Sequence, residues 1–442
     1  MAAIALHLSQ KAYISHRRTR GPMSSKTEKT YVWGWLPGKT EPVPVGALSA
    51  VGGLVGFSYD RSYLARPEAV PLYGVPLAAG QHEPPNGLSV HGCFLDAAPD
   101  AWGRRVILHR LTGRTGSDAG TADLPVLTYL LESASDRTGA LDFQTRPHDY
   151  VARSSKASLA EMLSAAELLQ SGGTLSPSLE AALLQGTCIG GARPKAALHD
   201  GARYLIAKFE SSTDTYPVLK AEAAAMTLAS FAGIDVAKVE AIKCLGKDVL
   251  LVERFDRYAD GTRRMMVSAL TVLGLPEKLS SYAAYPDFAD RLRSQGKNPN
   301  RDVHELFARI TFNILVSNND DHAKNHAAFW DGEKLSLTPA YDICPQLRSS
   351  GEQAQAMAIG RDGWRMSQLA GCVRAASNYL LSEKEARDII DAQLEAVHAH
   401  WDEAADVAQL TGDERKQLWG RQFINPYALE GYKPTTYAVP RT

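Results

Sequence analysis

The stretch of this chain richest in reactive groups is Ser317-Asn-Asn-Asp-Asp-His-Ala-Lys-Asn-His326. It follows an apolar, helix-like run, Leu306–Val316. After it come Ala327–Trp330, an Asp331-Gly332 turn, Lys334–Leu337 and Pro339-Ala-Tyr-Asp342. An Asp-Gly pair between apolar runs is a strong hairpin signal. The order is therefore helix, acidic loop with an Asn, hairpin, second Asp. Protein kinases use that order: a carboxylate that receives the substrate hydroxyl proton, an Asn five residues on, a hairpin, and a metal-binding Asp. Asp320 and Asn325 are five apart, whereas Asp321 and Asn325 are four apart. Spacing selects Asp320 as the proton acceptor, with Asn325 and Asp342 as hard oxygen ligands for Mg²⁺. Taken alone, the stretch also fits a solvated polar loop, or a metal hydrolase using Asp320, His322 and His326. The H-E-x-x-H pattern of the latter is absent.

Upstream lie pieces that a nucleotide site needs. Gly190-Gly-Ala-Arg-Pro-Lys195 precedes a strand-like segment. A glycine pair lets backbone N–H groups approach phosphates, and Lys195 adds charge. A plain turn has the same composition, and G-K-[ST] is missing, so this is no Walker A loop. Tyr204-Leu-Ile-Ala-Lys208 has the local form of the kinase strand whose Lys pairs with α- and β-phosphates. Leu219–Ala232 is strongly helical in composition and is closed by Gly233. Glu222 in its first turns is placed to hold Lys208, though a helix N-terminus favours Glu in any case. Two strands, Val236–Cys244 and Val249–Glu253, lead to Arg254-Phe-Asp-Arg257. Glu253 and Phe255 are candidates for an adenine-binding hinge, while Arg254, Asp256 and Arg257 also fit a local ion-pair cluster.

The elements that must position these groups come in an ordered series. Tyr31–Leu36, Gly46–Ala50 and Leu54–Tyr59 are short β-like pieces between Pro and Gly turns. Phe94–Ile107 is a turn leading into a helix, with Pro99 in its first turn. Residues 155–185 are helical, interrupted at Ser171-Gly-Gly-Thr174, and 186–255 are strand-rich. From about 263 the long elements are helical, ending in an amphipathic helix, Glu383–Trp401, that opens on a Ser382/Glu385 capping box. The expected fold class is α+β: a two-lobed, protein-kinase-like fold. Its divisions are a leader at 1–29, a β-rich N-terminal subdomain at 30–135, a mixed N-lobe at 136–255 and a helical C-lobe at 256–442. Residues 1–29 are basic and Ser-rich; they fit a disordered leader or an over-called start, or a transit peptide.

Composition narrows the classes. The chain has 442 residues and a formal net charge of −1. Direct grip on nucleic acid usually demands a clearly basic balance, so it is disfavoured. Five widely spaced cysteines without C-x-x-C fit reduced thiols in a cytoplasm, not a disulfide framework or a zinc site. No apolar run reaches the ~18 residues that span a bilayer.

Four segments resemble the signatures of HipA-type kinases: Gly190–Lys195, Val252-Glu-Arg-Phe-Asp-Arg257, Asn319-Asp-Asp-His-Ala-Lys-Asn325 and Leu337-Thr-Pro-Ala-Tyr-Asp342. Phe94-Leu-Asp, with Pro99-Asp-Ala-Trp-Gly-Arg-Arg105, resembles that family's N-terminal subdomain. The resemblance implies a serine/threonine kinase toxin, cytoplasmic and linked to persistence. It would phosphorylate an aminoacyl-tRNA synthetase and be restrained by a small HipB-like DNA-binding antitoxin. It implies that ATP contacts Gly190, Gly191, Ala192, Arg193, Pro194, Lys195, Lys208, Glu253, Arg254, Phe255, His322, Ala323, Lys324, Asn325, Tyr341 and Asp342. The serine that many members autophosphorylate is matched here by Cys188, with Thr187 beside it as a possible acceptor. A small-molecule phosphotransferase and a non-catalytic co-repressor partner are the competing readings.

Overall fold

The computed structural model describes residues 29–85, 87–113, 124–154, 157–187, 189–201, 203–347 and 352–435. Its first sheet is antiparallel with strand order β3-β2-β1-β4, from β1 (Lys29–Gly34), β2 (Val43–Val51), β3 (Leu54–Tyr59) and β4 (Leu141–Gln144). Cross-strand apolar pairs fix its register: Leu48 faces Phe57, and Val32 faces Phe143. The sheet thus takes in a strand beyond residue 135, because the chain returns to pair with β1 after a helical excursion. That excursion includes α1 (Ala101–Thr112), which ends on Gly113 in the left-handed conformation, φ 69°. Pro99 precedes the N-cap, Asp100, and is not in the first helical turn.

The second sheet has order β5-β6-β8-β7, from β5 (Lys195–Asp200), β6 (Arg203–Phe209), β7 (Val239–Cys244) and β8 (Lys247–Glu253). The β7–β8 connection is a tight turn through Leu245 and Gly246, φ 49° and 78°. Strand period two sends Leu205, Ala207, Phe209, Val249 and Leu251 to one face. There they pack with Met162 and Leu163 of α2 (Leu159–Gln170) and Leu183 of α3 (Pro177–Leu184). The same alternation sends Lys208 to the opposite face. α4 (Val218–Phe231) covers that face with its Ala-rich surface, which joins the main core beside Leu250 and Val252.

The remaining half is mainly helical: α5 (Tyr285–Gln295), α6 (Pro299–Leu315) and α7 (Glu383–Val407). The α7 capping box at Ser382 and Glu385 is formed. A three-stranded sheet interrupts the helices, with β9 (Met266–Ser268) flanking the hairpin β10 (Ala327–Trp330) and β11 (Leu335–Leu337). A three-residue edge strand carries too little alternation to be seen in sequence.

One close approach ties the N-terminal subdomain to the second sheet. A Cβ on Gly103 would overlap the Thr187 carbonyl oxygen. Alanine in a helix gains roughly 0.5–1 kcal/mol over glycine, whereas forcing two backbones apart costs about 1–3 kcal/mol. Gly103→Ala is therefore expected to lower the melting temperature. A denaturation curve with an equal or higher midpoint would mean that the helix does not approach the 187 segment so closely.

Candidate functional site

Lys195 and Lys208 sit directly opposite each other on β5 and β6. Like charges in that position repel. The arrangement persists because two carboxylates converge on Lys208: Glu222 from α4 and Asp342 from the loop after β11, each bonded to its ammonium. Lys208 is 8% exposed and Glu222 1%. Burial alone would lower the Lys208 pKa; Asp342 and Glu222 outweigh it and hold the group well above its ordinary value. Asp342 adopts a left-handed backbone, φ 59°, a conformation uncommon outside glycine. Its side chain keeps 39% of its surface open. Burial opposes its charge, but Lys208 and Lys195 overrule it, and Asp342 stays ionised well below the usual carboxylate range. Among the described residues no carboxylate is bonded to Lys195. Its ammonium donates to the Gly190 carbonyl, and burial, followed by repulsion from Lys208, pushes its pKa down to about 8.

The two adjacent aspartates of the acidic loop have opposite surroundings. Asp321 is 2% exposed. One of its oxygens accepts from Tyr285 Oη of α5 at 2.6 Å and Asn313 Nδ2 of α6 at 2.8 Å, and meets His326 Nε2 at 2.9 Å. It is a structural anchor. Asp320 is exposed and lines the cleft. Partial desolvation, with nearby Asp342 and Asp321, raises its pKa against the opposing pull of His322. A carboxylate of raised pKa facing a cleft suits proton acceptance. Asn325 folds back beneath it, Nδ2 donating to the Asp320 carbonyl at 3.3 Å. With His326 turned inward to Asp321, the two histidines form no shared ligand set. Among the described residues no group of three or more His, Cys, Asp and Glu converges as a metal site.

The cleft has a volume of about 940 Å³ and is lined by Gly191–Lys195, Lys208, Glu222, Asp320 and Asp342 among others. Of the remaining sequence candidates, Gly190, Glu253, Arg254, Phe255, Tyr341 and His322–Asn325 lie outside that lining. Phe255 packs at a tilt against Tyr341, ring centroids 5.7 Å apart, and the Tyr341 hydroxyl donates to the Lys324 carbonyl at 2.7 Å. These contacts join hinge, acidic loop and Asp342 segment. Arg254 forms the ion-pair cluster that the sequence also allowed: its guanidinium is buried between Asp256 and Asp136, each at 2.9 Å. Arg193 is likewise engaged, with both terminal nitrogens on Asp214 at 2.6 and 2.9 Å. Thr187 is fully buried, its hydroxyl donating to the Leu184 carbonyl at 2.8 Å, so this conformation does not present it as a phosphate acceptor. Cys188 lies outside the described residues.

Sequence reasoning missed Tyr285, Asn313 and Asp100. The first two act through α5 and α6, which meet the acidic loop only in three dimensions and leave no local signal. Asp100 stood in plain view within Pro-Asp-Ala-Trp-Gly, in a segment read only for its likeness to an N-terminal subdomain.

Residues 187–401 match the family model described as the HipA-like C-terminal domain. The chain is 29% identical over 221 residues to "Putative kinase Y4mE" of Sinorhizobium fredii, covering 46% of this chain and 50% of that protein. It is 27% identical over 173 residues to "Toxin YjjJ" of Escherichia coli, covering 37% and 39%. The chain thus spans half or less of the length of these relatives. Its fold matches the HipA chain of a solved Shewanella oneidensis complex of HipA, HipB and operator DNA. The TM-score is 0.63, with 19% identity, over 87% of this chain and 97% of that one. The two-lobed, kinase-like α+β fold is therefore established, and residues 187–401 form a HipA-like C-terminal domain.

Proposed function

We propose that this protein is an ATP- and Mg²⁺-dependent serine/threonine protein kinase of the HipA type. The observation that carries the reading is the convergence of Lys208, Glu222 and Asp342 beneath a glycine pair, with Asp320 free in the same cleft. The residues fit a triphosphate and a hard cation. Gly191 has φ 103° and offers no side chain where phosphates would approach, and Asp342 presents an ionised, partly open carboxylate. Asp342 and Asn325 would hold Mg²⁺, which when bound neutralises phosphate charge. Lys208 would take an α- or β-phosphate oxygen, kept in place by Glu222. Lys195 would add a second cation in a cleft where charge interactions exceed their value in water. Asp320 would receive the proton of the acceptor hydroxyl, and Asp321 would keep that loop rigid through Tyr285, Asn313 and His326. Positioning and charge stabilisation are most of what phosphoryl transfer asks of a protein.

The relatives' names support a growth-restraining role, and we extend it to this chain as a proposal. The substrate is then a protein, with an aminoacyl-tRNA synthetase as the specific candidate. Restraint would come from a small DNA-binding antitoxin, as the HipB-bound complex of the Shewanella relative suggests. No helix among the described residues is long and apolar enough to cross a membrane.

Asp320→Asn is expected to lower phosphate transfer from γ-labelled ATP into proteins of a cell extract by roughly 10³-fold with little change in melting temperature. Asp321→Asn should instead destabilise the fold, because it strips charge from a buried network. The reverse pattern, with Asp321 needed for chemistry alone, would remove the assignment. Mapping phosphosites in the same extract names the target.

Nucleotide binding should also depend on pH through Lys195. Its ammonium is half-neutral near pH 8 in the free protein, and an incoming polyanion favours the charged form. Binding above pH 8 must then take up a proton, and affinity falls by up to about tenfold per pH unit. Calorimetry in buffers of differing ionisation enthalpy reads that proton directly. Its persistence in Lys195→Arg would assign the effect to another group.

A further inference from the structure

Asp100 is the N-cap of α1, and aspartate is a preferred cap because its carboxylate can satisfy the helix's own first N–H groups. Here it makes no such bond. Its carboxylate reaches across to the other domain instead. One oxygen accepts the Gly191 backbone N–H at 2.9 Å, and the other accepts the Lys324 ammonium at 2.7 Å. The first oxygen lies 3.0 Å from where a Cβ of Gly190 would stand, so the carboxylate rests directly against the bare glycine pair. Its side chain is 19% exposed. The next residues of α1 hold the same loop: Trp102 N–H donates to the Gly191 carbonyl at 3.2 Å, and Arg105 donates to the Ala192 carbonyl at 2.6 Å.

Gly191 N–H and the Lys324 ammonium are both anion-binding groups, one on the glycine loop and one on the loop that carries Asp320. In the free protein the Asp100 carboxylate bridges both, with Glu277 also accepting from the Lys324 ammonium at 2.9 Å. A phosphate oxygen entering beneath the glycine pair carries the same charge and seeks the same donors. We propose that Asp100 is an internal occupant of the glycine-loop anion subsite, contributed by the N-terminal subdomain and displaced when a nucleotide phosphate enters. This inference rests on the nucleotide reading above. It makes nucleotide occupancy and the docking of α1 mutually exclusive at this point, so each weakens the other by the same factor. If the latched form holds about nine-tenths of the free protein, apparent nucleotide affinity is reduced about tenfold.

The test is calorimetric titration of the full chain and of Asp100→Asn and Asp100→Ser. Both substitutions keep a good N-cap residue while removing the charge. The probes are Mg²⁺ with the non-hydrolysable analogue AMPPNP and, separately, adenosine, which carries no phosphate. The expected result is AMPPNP bound about tenfold more tightly by both variants, with adenosine affinity unchanged. Equal or weaker AMPPNP binding by folded variants would overturn the proposal and leave Asp100 a structural tie. Loss of folding in both variants would do the same, since a displaceable carboxylate cannot be essential to the fold. If wild type binds neither AMPPNP nor adenosine, the nucleotide reading itself fails, and that result is distinct from a failure at Asp100 alone.

Discussion

A buried ammonium flanked by two carboxylates is the interaction on which the cleft depends. Lys208 stands on a strand directly opposite another lysine, and its surroundings are nearly dry. A lone cation there would lose more in desolvation than the fold could spare. Glu222 and Asp342 make the position tenable, and each must come from a different element. Strand alternation turns Lys208 toward α4, away from the face that buries Ala207 and Phe209. The first turns of α4 bring Glu222 beneath it. The left-handed backbone at Asp342 aims the third member back at the sheet. Removing Lys208 strands the buried Glu222 carboxylate, a loss of about 3–5 kcal/mol. The charge cluster thus couples the closure of the two lobes to the integrity of the site.

The acidic loop follows the same logic with the opposite distribution. One aspartate is consumed by structure so that its neighbour can remain free. Asp321 collects Tyr285, Asn313 and His326 on a single oxygen and pins the loop to α5 and α6. Asp320, one residue earlier, is carried into the cleft by that anchoring.

Much of this was legible in the chain because the informative signals were local. The Lys195–Lys208 hairpin, the Ala-rich α4 with Glu222, and the Asp320–Asn325 spacing each depend on period, composition or turn chemistry within a few residues. The Ser382/Glu385 cap and the Asp331-Gly332 hairpin are of the same kind. What escaped depended on distant partners. β4 joins the first sheet more than a hundred residues after β1, and no feature of Leu141–Gln144 names its neighbour. The Arg254, Asp256 and Arg257 cluster was legible, but its distant member, Asp136, was not. Spacing distinguished Asp320 from Asp321 in the sequence, and burial distinguishes them in the fold.

Two of the attachments between the N-terminal subdomain and the kinase-like body are of unequal strength. Near the hinge, Arg254 and Arg257 donate to the Arg137 carbonyl, Asp256 accepts the Gly139 N–H at 2.8 Å, and Asp136 lies against both arginines. Opening that contact would strand several buried charges at once. At the glycine loop the attachment is the Asp100 carboxylate, two further polar contacts and the close backbone approach at Gly103. An incoming anion can take over Lys324 and the Gly191 N–H, which leaves one carboxylate, that of Asp100, to be solvated. Of the two attachments, the glycine-loop end is the one that can yield within the energies of ligand binding, while the hinge end keeps the subdomain in place as it does so.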